Sequence, residues 1–188
     1  MAALPIVITG EPVLHRRATE VDIIDDRVRA LVTDMFETMS AAPGVGLAAP
    51  QVGVDARLFV FDYTDSDDVQ WRGVAINPEL LISPPPVGEP DLDLDSEGCL
   101  SVPGERFAVT RSDRALLRAT NLDGEQFEVD AHGWLARIFQ HEFDHLEGVL
   151  YVDRLQFPHS KAAAKAIRKR SWGSPGQSWM PGEDDLEG

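Results

Sequence analysis

The chain has 188 residues, of which 43% are hydrophobic and 26% charged, a balance that suits one soluble domain with its own core and excludes a disordered or fibrous polypeptide. Its 32 acidic and 17 basic residues give a net charge of −15, which excludes non-specific binding of nucleic acid by the whole surface and gives no reason to expect sequence-specific binding. There is no basic start followed by an apolar stretch and no run of about eighteen apolar residues, so the expectation is a cytoplasmic protein without a membrane span.

In chain order, the first secure element is a helix over residues 26–41. Val28, Leu31, Val32, Met35, Phe36 and Met39 recur at helical spacing, and Asp25 or Asp26 can cap the start. A glycine-rich loop, "APGVGLAAPQVG", follows over 42–53. Short runs then read as strands: "ARLFVFD", "GVAINPELLI", "RFAVT", "RALLRAT" and "EQFEVD", with "NLDG" (121–124) supplying the turn between the last two. The proline-rich acidic segment "SPPPVGEPDLDLDSE" reads as a solvated loop. A second helix starts near Gly133 and a third spans 160–170. The tail "SWGSPGQSWMPGEDDLEG" has the composition of a loose segment, with two tryptophans able to pin part of it. Together these elements predict an α+β fold with antiparallel strands packed around a central helix, rather than alternating βαβ units.

The central helix carries "QHEFDHLEGVLY" (140–151). Residues four apart lie one turn apart on the same side, so His141 and His145 can aim both imidazoles at one metal ion. Glu142, rotated by about 100°, can stand beside the ion as a general base for water whose pKa the ion lowers. The bland alternative is two polar residues on an ordinary helix. Trp134, Ile138, His141 and His145 form one stripe, however, and histidines on an interior stripe need partners for their nitrogens. A catalytic ion usually takes three protein ligands. Downstream, only His159, Asp153 and the tail acids are available. Upstream, the lone cysteine, Cys99, sits among small residues in "SEGCLSVPG". A lone cysteine is commonly a small buried hydrophobe, but Cys99 is the most plausible third ligand.

Three segments, "GVGLAAPQ" (44–51), "EGCLS" (97–101) and "QHEFDH" (140–145), together resemble the signature motifs of bacterial peptide deformylases, in order and spacing. The likeness runs from "ITGEPVLHRRATEV" to about residue 155. It implies a catalytic domain over 1–158, with 159–188 a basic helix and Gly/Ser/Pro-rich acidic tail of the same domain. It implies Cys99, His141 and His145 as ligands of Fe(2+), with Zn(2+) or Ni(2+) substituting in purified samples, and Glu142 as general base and acid. Gln51 and the Leu100 N–H would form an oxyanion hole. Without the likeness, "GVG" suggests at most a phosphate loop lacking the Lys that such a loop requires.

The implied substrate is the N-formylmethionyl end of a nascent peptide, with formate as a product. Matching positions put Val45, Trp134, Arg137 and Ile138 around the methionine, Arg137 through its aliphatic stem. Gly44 and Gly46 belong to the substrate-binding loop, where Gly46 would admit the peptide backbone, and Arg106 would lie near the peptide path. Glu97 and Arg111 match a buried pair supporting the cysteine loop, and Asp144 is expected to brace the helix. His132 is expected at a turn or cap, with His15 and His159 exposed.

Lys161, Lys165, Arg168, Lys169 and Arg170 fall in a stretch, 155–182, that contains no acid. This basic helix offers a contact with the ribosome; the alternative is a solvated helix complementing its own acidic body. Two rival functions stand beside deformylation. One is a zincin-type metallopeptidase, which takes its third ligand downstream of the motif. The other is a metal-stabilised peptide-binding module, which has no need of Glu142.

Overall fold

The structure, a computed structural model, describes residues 3–184 and residue 186. Residues 185, 187 and 188 of the expected tail lie outside the described residues, as do residues 1 and 2. The first strand, β1 (Ile6–Val7), is followed by helix α1 (Asp26–Ala41). The Asp25 carboxylate caps α1, accepting from the Arg27 and Val28 amides at 3.0 Å each. Val32, Met35 and Met39 are its buried face.

Strands β2 (Gly46–Ala48), β3 (Leu58–Thr64) and β4 (Gln70–Ile82) follow, then the hairpin β5 (Ser96–Cys99) and β6 (Val102–Ala108), and then β7 (Arg114–Thr120) and β8 (Gln126–His132). Helix α2 (Gly133–Leu146), helix α3 (His159–Lys169) and strand β9 (Ser178–Trp179) complete the chain. The main sheet has the order β2-β3-β4-β7-β8, and β5-β6 and β1-β9 form separate pairs. Every pairing is antiparallel, so the architecture is α+β as the sequence predicts.

Alternation along the strands explains how the main sheet is sandwiched. Leu58, Val60, Val74 and Ile76 face the core that α1 covers, while Phe59, Phe61, Ala75 and Leu117 face Leu135, Ile138 and Phe139 of α2. The T-shaped pair of Phe61 and Phe139, with ring centroids 5.1 Å apart, fixes α2 against the sheet. At the far end of α2, buried Arg57 donates to the Leu146 carbonyl at 3.4 Å and pairs with Glu147 at 2.7 Å. A cation there also complements the helix dipole. Gly148 then turns the chain at φ +75°, where a Cβ would press to 2.6 Å on the Arg16 carbonyl carbon.

Two sequence expectations change, and a third is made specific. The 42–53 segment contains strand β2, because Leu47 finds Val60 of β3 across the ladder. The acidic loop ends earlier than its composition suggests, since Ser96 and Glu97 already pair with Ala108 and Phe107. Part of the tail is pinned through one of its tryptophans: Trp179 is 3% exposed and pairs with Ile6. Among the described residues, no helix is long and apolar enough to cross a membrane.

Candidate metal centre

The β5-β6 hairpin brings Cys99 to the histidine stripe of α2. Cys99 closes β5 opposite Val102, so Leu100 and Ser101 form a two-residue turn. The Cys99 Sγ lies 3.3 Å from His145 Nε2, and one donor atom from each of Cys99, His141 and His145 falls within 4.8 Å of the others. One thiol and two imidazoles suit a divalent ion of borderline softness, so this donor set fits a resident metal. Among the described residues, His159, Asp153 and the tail acids Glu183 and Asp184 are not part of that group.

A buried carboxylate aligns the first histidine. Glu97 accepts from Arg111 through Nε and Nη2, both at 2.9 Å, from Arg137 Nη1 at 2.8 Å and from His141 Nδ1 at 3.1 Å. Burial acts to raise the Glu97 carboxyl, but hydrogen bonds and charges from His141 and Arg111 outweigh it and hold the group well below the usual carboxylate range. A carboxylate that stays ionised can only accept, so a His141 proton sits on Nδ1, which leaves Nε2 as the nitrogen that would offer its lone pair to an ion once its own proton is released. Burial opposes charging of His141, yet its hydrogen bonds to Cys99 and Glu97 raise it well above its ordinary value; burial and the neighbouring His141 push His145 well below. Tyr151 lies under the His141 ring, with centroids 6.1 Å apart, and donates its hydroxyl to the Glu105 carbonyl at 2.7 Å.

Two further side chains are aimed into the same space. Glu142 is 4% exposed, its Oε2 has no hydrogen-bond partner among the described residues, and burial pushes its carboxyl up to about 7. A cation on the three donors would act in the opposite direction. Gln51 is held by its Oε1, which accepts from the Ala48 amide at 2.8 Å, so its Nε2 points to Cys99 Sγ at 3.6 Å. The open side is a cavity of about 400 Å³. Val45, Trp134 and Ile138 give it apolar walls, while Gln51, Cys99, His141 and Glu142 reach it from the polar side.

The match of the chain to known families now bears on this geometry. Residues 3–161 match the model of the polypeptide deformylase family. This chain belongs to that family. The peptide deformylase of Mycobacterium sp. (strain JLS) is 48% identical over 191 residues, covering 98% of this chain and 97% of the relative. That of Mycolicibacterium smegmatis is 48% identical over 190 residues, covering 97% and 96%. Among solved structures, the Synechococcus elongatus peptide deformylase in complex with actinonin superposes with a TM-score of 0.76 at 36% identity, covering 90% of this chain and 86% of that one. The Legionella pneumophila peptide deformylase gives a TM-score of 0.75 at 36% identity, covering 90% and 95%. Deformylases are metalloenzymes that remove the N-terminal formyl group of nascent peptides, and this chain is an enzyme of that class.

Within the deformylase fold, the expected residues divide by position. Gly44, Gly46, Leu100 and Arg106 line the cavity as well, whereas His145, Arg111 and Asp144 are buried and are not among its lining residues. Arg111 Nη1 donates to Asp144 at 2.6 Å, and Arg154 grips both Asp144 oxygens, so Asp144 braces α2. Two contacts go beyond what the sequence indicates. Arg137 engages its charge rather than only its stem, because its guanidinium bonds Glu97, Asp95 and the Val109 carbonyl. The flank of Gly46 where a Cβ would stand is filled by Glu142, whose Cδ and Cγ would lie 2.7 and 2.8 Å from it. Asp95 and Arg154 carry no sequence signal for this role, since each meets its partner only through tertiary packing. His132 precedes α2 as its N-cap residue without a capping side-chain bond, and His15 is exposed. His159 is half-buried against Phe107, the ring centroids 6.4 Å apart.

Proposed function

We propose that Cys99, His141 and His145 hold one divalent ion, Fe(2+) in the cell with Zn(2+) or Ni(2+) able to take its place, and that deformylation occurs in the adjoining cavity. The observation that carries this reading is the convergence of three donor atoms within 4.8 Å from two separate elements. When bound, such an ion supplies a Lewis acid that acidifies water and draws charge from the formyl oxygen. The thiolate softens the site and favours iron and zinc over magnesium.

The chain's own groups then complete the reaction. Glu142 takes a proton from the attacking water and delivers it to the departing amine. Gln51 Nε2 and the Leu100 N–H donate to the oxygen that gains charge. The methionine side chain lies among Val45, Trp134 and Ile138, with Gly44 at the rim and Arg106 along the peptide path. Strand β2 is an edge of the main sheet and contributes Gly46 to the cavity, so the peptide adds to it as a further strand. Glu97, Arg111, Arg137 and Asp144 hold the hairpin to α2 and orient His141.

The position of Cys99, upstream of the helix motif, separates this reading from a zincin-type peptidase. Cys99→Ala is expected to lose its metal on desalting while the parent retains it. Metal retained at the parental stoichiometry would point to a ligand set downstream.

Residues 1–158 form the catalytic body, and 159–188 belong to the same domain; the burial of Trp179 supports this. The site of action is the cytoplasm, where nascent chains emerge. Contact with the ribosome runs through α3. Lys161, Lys165, Arg168 and Lys169 are exposed and have no ion pair among the described residues, whereas Arg170 is tied to Glu105 at 3.0 Å. The double substitution Lys165→Glu and Lys169→Glu is expected to weaken co-sedimentation with ribosomes at low salt; unchanged binding would refute the contact.

A further inference from the structure

We propose that the carboxy-terminal segment is a brace for the Leu100–Ser101 turn, and that Trp179 is a positioning residue for the oxyanion donor at Leu100. The proposal rests on the reading of the Leu100 N–H given above. A two-residue hairpin turn has a central peptide whose plane can rotate without breaking the ladder on either side. Here the turn is gripped from outside the hairpin. Trp179 Nε1 donates to the Leu100 carbonyl at 2.9 Å, and the Thr9 amide donates to the Ser101 carbonyl at 2.8 Å.

Both donors belong to one small assembly made by the two ends of the chain. Ile6 pairs with Trp179 and Val7 with Ser178. The Ile8 amide donates to Gln177 and the Gly173 amide to Thr9, each at 3.0 Å. Gly10, at φ +107°, lets the two segments approach so closely that a Cβ there would stand 2.6 Å from Gly173 Cα. The Trp179 ring packs in the same core as Leu100 and Met39, so its N–H has little freedom to leave the carbonyl. The family model ends at residue 161, and the carboxy-terminal half of the brace, residues 173–179, lies beyond it.

The consequence is geometric. A donor stabilises a developing oxyanion only when it is aimed before the charge appears. Holding the Leu100 carbonyl fixes ψ at Leu100, and holding the Ser101 carbonyl fixes the next peptide. The Leu100 N–H lies in the preceding peptide, between Cys99, which is paired with Val102 in the ladder, and the Leu100 α-carbon, which the held carbonyl anchors from the other side. Trp179 touches neither ligand nor substrate and acts through this turn.

The test uses the full-length, metal-loaded enzyme. Trp179→Phe retains the ring in the core and removes only the donor. Its kcat is expected to fall about five- to tenfold, with KM within about twofold and the metal content unchanged. Trp172→Phe, altering the other tail tryptophan, is expected to keep the parental kcat. Hydrogen exchange reads the brace without any turnover: the Cys99 and Val102 amides flanking the turn are expected to exchange at least about fivefold faster in Trp179→Phe. Parental kcat with parental exchange would overturn the proposal, and so would a loss confined to KM or accompanied by loss of metal. If the parent itself fails to release formate, the deformylation reading fails, while the exchange result still reports on the brace.

Discussion

Glu142→Ala is expected to lower kcat for formate release by about 10³-fold while the metal stays bound. General acid–base groups contribute roughly 10² to 10⁴-fold, and Glu142 serves both proton transfers here. Its carboxyl is buried beside the three donors without being one of them, so metal content and turnover separate cleanly in this variant. Because Oε2 lacks a partner among the described residues, removing the carboxyl also relieves a desolvated polar group. The thermal midpoint is therefore expected to stay level or rise, as for a group kept for chemistry rather than stability. A kcat within about tenfold of the parent, with metal retained, would remove Glu142 from the mechanism and favour a binding module.

Gly46→Ala is expected to be nearly as damaging, although it adds one methyl group. Gly46 pairs with Phe61 and has no positive φ, so an alanine backbone is tolerated there. The obstacle is space: the new Cβ would fall 2.7 and 2.8 Å from Glu142 Cδ and Cγ. The carboxyl must move, and a displacement of about 1 Å can cost roughly 10²-fold in rate. A double-mutant cycle tests the cause. If Gly46 acts by positioning Glu142, Gly46→Ala adds almost nothing in the Glu142→Ala background. Full additivity would show that Gly46 serves the peptide directly, as the sequence alone suggests.

What was legible in the sequence follows how local each cause is. The cap at Asp25 and the stripe of α1 are local, and both lie where spacing places them. The β7-β8 hairpin is similarly local, since Asn121 Oδ1 accepts from the Asp123 and Glu125 amides at 2.9 and 3.0 Å. Strand β2 was hidden because a three-residue run with two small residues becomes a strand only by pairing with β3. The tail tryptophans were legible as anchors, but the two-residue strand at Trp179 was masked by the Gly, Ser and Pro content around it. At the centre, the i, i+4 histidines were readable from helix geometry, and Cys99 from the shortage of other ligands together with the family likeness. The Arg137 to Asp95 pair and the packing of Glu142 on Gly46 arise from contacts between distant segments. No periodicity announces them.

The most direct test of the central claim is formate release from a formyl-Met peptide by anaerobically purified protein, with metal analysis on the same sample. The account predicts one formate and one free amino terminus per peptide consumed, with activity proportional to bound metal. Cleavage of an internal peptide bond, or no formate from a fully metal-loaded sample, would contradict it.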